Sequence, residues 1–246
     1  MRKYIITIVT VTLVVLIFAL GGYYYLTKDD KTTTSNQTSQ KDDKKPSTKE
    51  NTKSDDNNEN PPSTNGKTPE TVTQPTIING IILANKKHPL PANYNPGENP
   101  TARQKVNKLI ADAQALGLSV SNQVSGFRAY GTQAGLYNNY VASHGKQEAD
   151  RFSARPGYSE HQTGLAFDLI DTNGDLVTEE KAAQWLLDHA ADYGFVVRYL
   201  KGKEKETGYM AEEWHLRYVG KEAKEIAASG LSLEEYYGFE GGDYVD

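Results

Sequence analysis

Two short segments carry residue types that bind and activate a metal ion. The first, residues 159–168, reads Ser-Glu-His-Gln-Thr-Gly-Leu-Ala-Phe-Asp and contains His161 and Asp168. The second, residues 212–215, reads Glu-Glu-Trp-His and ends at His215. A catalytic zinc ion commonly takes three protein ligands of histidine and carboxylate type and keeps a fourth position for water. These three side chains supply that set if their strands lie side by side, so we predict one Zn²⁺ per domain.

Glu212 is the residue best placed to act as a base beside such a metal. It lies three residues before His215, at the entrance to a predicted strand, where its carboxylate can reach a metal-bound water without being a ligand. Zinc lowers the pKa of a bound water to about 7, and a neighbouring carboxylate can take that proton and later return it. Glu213 points the other way along an extended segment, which makes it the weaker candidate.

Each candidate ligand also has a purely structural interpretation. A single histidine is more often a hydrogen-bonded structural residue, and we assign that role to His88, His144 and His189, with His189 expected on the inward side of its helix. For the two histidines of the paired segments, the joint spacing with a carboxylate argues against that role. Asp168 interrupts an apolar run, where an unpaired charge is costly, and this favours a metal as its partner.

Hydrophobic periodicity predicts the elements that must position these residues. Helices are predicted over 101–116, 133–143, 146–152, 178–193 and 221–229, and strands over 76–83, 118–127, 164–170, 194–200 and 214–219. These elements do not alternate in βαβ order, so we expect an α+β domain with a mainly antiparallel sheet and flanking helices. Residues 171–175, Asp-Thr-Asn-Gly-Asp, are predicted to form a turn rather than a calcium loop, because the sixth position of such a loop, a glycine, is Leu176 and the acidic twelfth position is Ala182.

The N-terminal part of the chain differs in composition from the rest. Residues 4–20 form an almost entirely apolar run after a basic start, and extension to Leu26 makes the run long enough to cross a bilayer. We predict a transmembrane signal-anchor at residues 1–26, favoured over a cleaved signal peptide. Residues 27–70 contain no aliphatic or aromatic side chain and cannot bury apolar surface, so residues 27–75 are predicted to form a disordered polar linker.

The remaining residues, 76–246, suffice for one domain with its own core. A basic start followed by an apolar run is typical of exported chains, so we expect a single-pass protein of the cell membrane with an extracellular C-terminal domain, or a secreted protein if the first segment is cleaved. The net charge of −5 gives no reason to expect a nucleic-acid partner. The chain has no cysteine, which excludes disulfides, a thiolate nucleophile and sulfur ligands.

The spacing Ser-x-His-x-x-Gly-x-Ala-x-Asp followed by Glu-x-Trp-His resembles the M15 family of zinc D-Ala-D-Ala peptidases. The likeness covers about residues 76–240 and is greatest to the VanY/LdcB (M15B) carboxypeptidase branch, which trims D-alanine from peptidoglycan stem peptides. Relatives often carry proline where this chain has Glu213, but the ligand and base positions are intact. The resemblance implies a zinc metallocarboxypeptidase that acts on peptidoglycan.

The resemblance also implies residues that contact the substrate. Arg128, in the sequence Ser-Gly-Phe-Arg-Ala-Tyr, resembles an arginine that polarises the scissile carbonyl and stabilises the oxyanion, an effect worth several kcal/mol in a dry site. Gln133 and Ser159 match positions associated with substrate contact in the LdcB-like branch. The structural alternatives are an ion pair for Arg128, a helix surface for Gln133 and a turn for Ser159.

Two substrate preferences and one other class of function stay open at this point. The branch resemblance favours L,D-carboxypeptidase activity, which shortens a tetrapeptide to a tripeptide, over D,D-cleavage of a pentapeptide. The other class is a non-catalytic zinc module that binds cell-wall peptide, against which Glu212 argues because a binding module needs no base. A tethered enzyme of this family fits the surface of a Gram-positive cell.

Overall fold

The structure, a computed structural model, describes residues 68–245 of the 246-residue chain. The strands are β1 (Ile77–Ile78), β2 (Ile81–Ile82), β3 (Val124–Ser125), β4 (Ala166–Leu169), β5 (Phe195–Tyr199) and β6 (Glu212–Tyr218). The helices are α1 (Pro100–Ala115), α2 (Tyr130–His144), α3 (Lys146–Phe152), α4 (Glu180–His189), α5 (Glu204–Thr207), α6 (Ala223–Ser229) and α7 (Leu233–Tyr237). Short 3₁₀ turns lie at Glu160–Thr163, Ala190–Tyr193 and Gly220–Glu222.

The centre of the domain is a four-stranded antiparallel sheet in the order β3-β4-β6-β5. Strands β1 and β2 form a separate two-stranded hairpin. Helices flank this sheet, so the predicted α+β fold with an antiparallel sheet is confirmed. The predicted anchor at residues 1–26, and the linker as far as residue 67, lie outside the described residues. Within residues 68–245, no helix combines the length and the apolar character that a membrane span requires.

The main core lies between one face of the sheet and helices α1 and α4. Along α1, Val106, Leu109 and Ala113 recur at helical spacing and are fully buried. Strand β4 contributes Phe167 and Leu169 to the same core. Because side chains alternate along a strand, the residue between them faces the other side of the sheet. The sheet therefore has a packed face and a second face that is free to carry chemistry.

Several predicted boundaries are wrong for local reasons. The predicted strand over 76–83 is a hairpin, because Asn79 and Gly80 both adopt positive φ (50° and 80°) and reverse the chain, as an Asn-Gly pair commonly does. The predicted strand over 118–127 shrinks to Val124–Ser125, the two residues that pair with β4. In the region 178–193, predicted as one helix, the α-helix spans only Glu180–His189 and is followed by a 3₁₀ turn at Ala190–Tyr193.

Other elements were missed or misplaced by the sequence. Helices α5 and α7 are only four and five residues long, too short for a periodic signal. The 3₁₀ turn Glu160–Thr163 was not predicted either. The expectation that His189 faces inward is wrong, because 47% of its side chain is exposed and it lies 3.6 Å from Asp192.

At Gly164 the backbone packs directly against the backbone of residues 97–99. Its φ is +74°, its carbonyl accepts from Asn99 N at 3.0 Å, and a Cβ there would collide with the carbonyl oxygen of Gly97. We expect Gly164→Ala to lower the free energy of unfolding by about 2–5 kcal/mol, from left-handed strain plus overpacking. Chemical denaturation measures this loss.

Gly230 provides the matched control for this substitution. Its φ is +66°, close to that of Gly164, but no atom lies within 4 Å of the position that a Cβ would occupy there. Gly230→Ala should therefore cost only the conformational strain, about 1–2 kcal/mol. Equal losses for the two variants would show that the close approach to Gly97 has no energetic weight.

Candidate active site

The register of the sheet places Ser125, Asp168 and His215 in one row. Asp168 pairs with Ser125 of β3 on one side and with His215 of β6 on the other. Paired residues on neighbouring antiparallel strands present their side chains on the same face. This face lies opposite the core, and the expectation that the strands carrying Asp168 and His215 are neighbours is confirmed.

His161 reaches the same place from the 3₁₀ turn that precedes β4. Ser159 caps this turn, because its Oγ accepts from His161 N at 3.3 Å. Gly164 ends the turn in the left-handed conformation, and its N–H donates to His161 O at 3.2 Å. With both ends fixed, the turn holds His161 Nε2 at 3.0 Å from Asp168 Oδ2.

The three predicted ligands form a compact group. His215 Nδ1 lies 3.0 Å from Asp168 Oδ1, so each imidazole approaches a different oxygen of the same carboxylate. One nitrogen or oxygen from each residue lies within 4.8 Å of those of the other two. The rings of His161 and His215 are nearly perpendicular, at 81°, with centroids 5.0 Å apart. All three side chains are buried, so the group has the composition and spacing of a zinc site.

Hydrogen bonds on the far side of each imidazole decide which nitrogen faces the group. His161 Nδ1 lies 2.8 Å from Gly126 O, which can only accept, so Nδ1 carries the proton and Nε2 keeps its lone pair. His215 Nε2 lies 3.2 Å from Glu160 Oε2, a carboxylate oxygen, so here Nε2 donates, and in the neutral ring Nδ1 keeps the lone pair. Both lone pairs therefore point towards Asp168, as metal ligation requires.

The charges around the group favour a cation. Burial lowers the pKa of His161, which keeps that imidazole neutral. Burial acts in the same direction on His215, but the carboxylates of Asp168 and Glu160 outweigh it and raise the pKa of His215 to about 10. A field that holds a proton this firmly also favours a metal ion in its place.

One oxygen of Asp168 gives an independent test of the fit to a metal. Although His215 Nδ1 lies 3.0 Å from Asp168 Oδ1, the contact lacks hydrogen-bond geometry, and this buried oxygen has no hydrogen-bond partner. A buried carboxylate oxygen without a partner is costly unless a cation neutralises it. The unpaired oxygen, two aimed lone pairs and a donor set of nitrogen and oxygen all fit Zn²⁺.

A β-bulge brings Glu212 beside the metal-binding group. Strand β5 pairs with β6 at Val197↔Leu216 and then at Tyr199↔Glu212, so three residues of β6 oppose one residue of β5. Regular alternation would put residues 212 and 215 on opposite faces, and the extra residues remove that constraint. As a result Glu212 Oε2 lies 3.6 Å from His215 Nδ1.

The environment of Glu212 suits a general base. Burial raises the pKa of its carboxyl to about 8, opposed by His215 and assisted by the negative charges of Asp168 and Glu160. A divalent cation at the three ligands would draw this pKa back down, towards the neutral range in which a base works best. Glu212 lines the cavity described below and Glu213 does not, in keeping with the choice made from the sequence.

Arg128 is fixed at the edge of the same group. Its Nη2 lies 3.7 Å from Asp168 Oδ2 and donates to Ser125 Oγ at 3.0 Å. Its Nη1 donates to Gln133 Oε1 at 2.7 Å, and Gln133 Nε2 in turn donates to Ala154 O at 2.7 Å. The guanidinium is therefore held in one orientation beside the cavity, where it can meet negative charge on a bound substrate.

Gln133 and Ser159 have structural contacts besides the substrate role predicted for them. Gln133 is 1% exposed, so the alternative that it lies on a helix surface is wrong. Its side-chain amide oxygen accepts a hydrogen bond from Arg128. Ser159 is 4% exposed and caps the turn that carries His161. Both residues line the cavity, and direct substrate contact by either stays a prediction.

The metal-binding group opens into a cavity of about 280 Å³. Apolar and aromatic side chains form much of its wall: Leu136, Tyr140, Phe152, Leu176, Tyr199, Tyr209, Met210 and Trp214. Leu176 and Met210 are 38% and 36% exposed, so apolar surface continues to the solvent. A largely apolar wall with a few polar groups is typical of a site for a small ligand.

Sequence reasoning missed one residue of the site, Glu160, which contacts His215 directly. A signal for it was present, because Arg198 and Arg217 interrupt two predicted strands that consist mostly of apolar residues. An arginine inside a buried strand requires a buried acid as its partner. Glu160 accepts from both arginines at 2.8 Å.

Comparison with known proteins gives a family match over the region that builds this site. The model of the VanY family, described as D-alanyl-D-alanine carboxypeptidase, matches residues 97–221. This segment begins before α1, ends after β6 and contains all the metal-binding residues, Arg128 and Glu212.

Three solved structures are similar to the chain. An L,D-carboxypeptidase, DacB from Streptococcus pneumoniae, is 78% identical with a TM-score of 0.66, over 67% of this chain and 90% of that one. The LdcB LD-carboxypeptidase, whose structure is described as revealing peptidoglycan recognition, is 69% identical with a TM-score of 0.67, over 71% and 100%. A VanY D,D-pentapeptidase mutant in complex with Zn(II) is 34% identical with a TM-score of 0.55, over 63% and 97%.

Proposed function

Because the chain belongs to the VanY family of D-alanyl-D-alanine carboxypeptidases, we propose that it removes the terminal D-alanine from peptidoglycan stem peptides in a zinc-dependent reaction. The observation that carries this proposal is the placement of Glu212 and Arg128 beside the His161–Asp168–His215 group, in one cavity. A module that only binds cell-wall peptide needs neither a buried base nor a fixed guanidinium at its metal site.

The chemistry divides between the metal and the residues of the chain. When bound by His161, Asp168 and His215, zinc would supply Lewis acidity, which polarises a substrate carbonyl and lowers the pKa of water. Glu212 accepts a proton from the attacking water while the water oxygen forms a bond to the carbonyl carbon. Glu212 then gives that proton to the amine nitrogen as the carbon–nitrogen bond breaks and D-alanine leaves. Arg128 stabilises the negative charge that develops on the carbonyl oxygen.

We propose the L,D bond of a tetrapeptide as the preferred substrate, so that the product is a tripeptide. The support is the identity of 69–78% to two L,D-carboxypeptidases, against 34% to the D,D-pentapeptidase. D,D-cleavage of a pentapeptide is the alternative, since the family description itself names a D-alanyl-D-alanine bond.

Purified tetrapeptide and pentapeptide muropeptides separate these possibilities. The protein is incubated with each, with and without a chelator, and the products are weighed by mass spectrometry. The expected result is loss of one alanine from the tetrapeptide, abolished by the chelator and restored by zinc. Faster loss of alanine from the pentapeptide would reverse the assigned preference, and no loss from either would refute the enzyme assignment.

We also propose that the domain works at the outer surface of a Gram-positive cell membrane, held there by residues 1–26 through the linker 27–75. The support is the apolar run behind a basic start and the location of peptidoglycan outside the membrane. Fractionation and protease treatment of intact cells test this proposal. The domain should sediment with membranes and be digested from outside, whereas a soluble, protected domain would refute it.

Arg128→Lys is expected to lower kcat by about 10- to 100-fold. Loss of one charge-stabilising donor typically costs about 100- to 1,000-fold, and lysine retains the charge but not the fork that bonds Ser125 and Gln133. Steady-state kinetics with the cleaved muropeptide measure the effect. The control is Arg151→Lys, at a side chain that is 46% exposed and bonded to surface carboxylates, and it should leave kcat unchanged. Equal kcat values for both variants would show that Arg128 does not take part in the reaction.

A further inference from the structure

A group of buried charges lies directly behind the metal ligand His215. Glu160 Oε2 accepts from His215 Nε2 at 3.2 Å, and Glu160 Oε1 accepts from Arg198 Nε and Arg217 Nη1, both at 2.8 Å. These four residues are between 1% and 4% exposed. Glu160 is therefore held by three donors on two strands, and one of its two oxygens faces the histidine.

The same group extends to the two ends of the domain. Arg198 donates through Nη1 and Nη2 to both oxygens of Glu234, at 2.8 and 2.6 Å. Asn85 Nδ2 donates to Glu234 Oε1 at 3.0 Å, and Arg217 Nη2 donates to Ile82 O at 2.7 Å. Two carboxylates and two guanidiniums thus neutralise one another within the domain.

The cost of such a group indicates a role beyond stability. Well-packed apolar residues of similar volume often stabilise a core as well as a buried ion pair does, because burying charge requires desolvation. The group ends on the nitrogen of His215 that faces away from the metal-binding side. Its benefit is thus geometric: a histidine whose Nε2–H is held by a fixed carboxylate cannot rotate to exchange its two nitrogens.

We propose that Glu160 is a positioning residue for His215, and that Glu234 of helix α7 holds Glu160 in place through Arg198. Zinc affinity then depends on a helix outside residues 97–221, the segment that matches the family. This inference rests on the proposed zinc site but not on the identity of the peptide that is cleaved. A hydrogen-bonded carboxylate also makes the imidazole a stronger ligand, and loss of such a partner typically lowers metal affinity about 10- to 100-fold.

Zinc affinity of the full-length protein tests the proposal, by competition with a chromogenic chelator at neutral pH. Glu160→Gln should raise the Kd for zinc by about 10- to 100-fold. Glu234→Gln should raise it by a smaller factor, since it acts through Arg198. The matched control is Glu235→Gln, at the next residue of the same helix, whose carboxylate bonds Lys203 at the surface, and it should leave the Kd unchanged. A wild-type Kd in folded Glu160→Gln protein would overturn the proposal, and a wild-type Kd in folded Glu234→Gln protein would remove helix α7 from it.

A second measurement needs no variant and is independent of whether Glu160→Gln protein folds. In ¹⁵N-labelled wild-type protein loaded with ¹¹³Cd²⁺, the metal should couple to Nδ1 of His215 and to Nε2 of His161. Nε2 of His215 should keep its proton, protected from exchange by Glu160. Coupling of the metal to Nε2 of His215 would overturn the proposal. Both measurements report on metal binding and need no cleavage of a muropeptide. A failure of this proposal can therefore be distinguished from a failure of the proposed function.

Discussion

Glu212→Gln is expected to lower kcat by about 100- to 10,000-fold while zinc affinity stays close to that of the wild type. Glutamine keeps the size and hydrogen-bonding capacity of the side chain but cannot accept the proton of the attacking water. Glu212 lies 3.6 Å from His215 Nδ1, near the ligands but outside the group of three. The variant should therefore still bind zinc and peptide, and the loss should appear in kcat rather than in KM.

The adjacent residue supplies the control for this experiment. Glu213→Gln makes the same change in charge one position along the strand, at a side chain that does not line the cavity. It should leave kcat within a few-fold of the wild type. Persistence of turnover in Glu212→Gln protein, or an equal loss in both variants, would mean that Glu212 is not the base.

Asp168→Asn is expected to abolish activity at limiting zinc by weakening zinc binding about 100- to 1,000-fold. Four-ligand zinc sites bind with roughly 10–16 kcal/mol, or about 3 kcal/mol for each ligand. Asp168 supplies the only carboxylate of the three, and its two oxygens lie 3.0 Å from the two histidines. Zinc retained after dialysis, and activity as a function of added zinc, measure the effect.

Asp175→Asn is a suitable control for the loss of a carboxylate. Asp175 lies in the exposed turn that follows β4, where its backbone N–H donates to Asp171 Oδ1 at 3.0 Å. This variant should retain zinc and activity. Retention of a full equivalent of zinc by dialysed Asp168→Asn protein would show that Asp168 is not a ligand.

The grouping of His161, Asp168 and His215 could be predicted because its geometry follows from local rules. Asp168 alternates with the core residues Phe167 and Leu169, so its side chain had to face away from the core. Once β4 and β6 are neighbours, only the register of the two strands remains to be determined. In the observed register Asp168 pairs with His215, which brings their side chains together. Alternation of side chains along a short strand is a local pattern, so the sequence alone predicts which side chains share a face.

The remaining parts of the site depend on contacts that no local pattern specifies. The position of Glu212 results from a bulge between β5 and β6, which depends on how two distant strands meet. The strand predicted at 118–127 pairs only at its end, where β4 offers a free edge. The contact between Glu160 and Arg217 joins residues 57 positions apart, and only the presence of charge in apolar strands hints at it.

The charged group behind His215 also bears on the order in which the site is completed during synthesis. Asn85 leaves the ribosome 149 residues before its partner Glu234. A nascent chain that has reached residue 221 already contains His161, Asp168, His215, Glu212 and Arg128. Its buried Arg198 still lacks the carboxylate of Glu234, so the proposed support of His215 is incomplete until α7 is made. On the proposal above, full metal affinity develops only after α7 has been synthesised, later than the segment that carries the three metal-binding side chains.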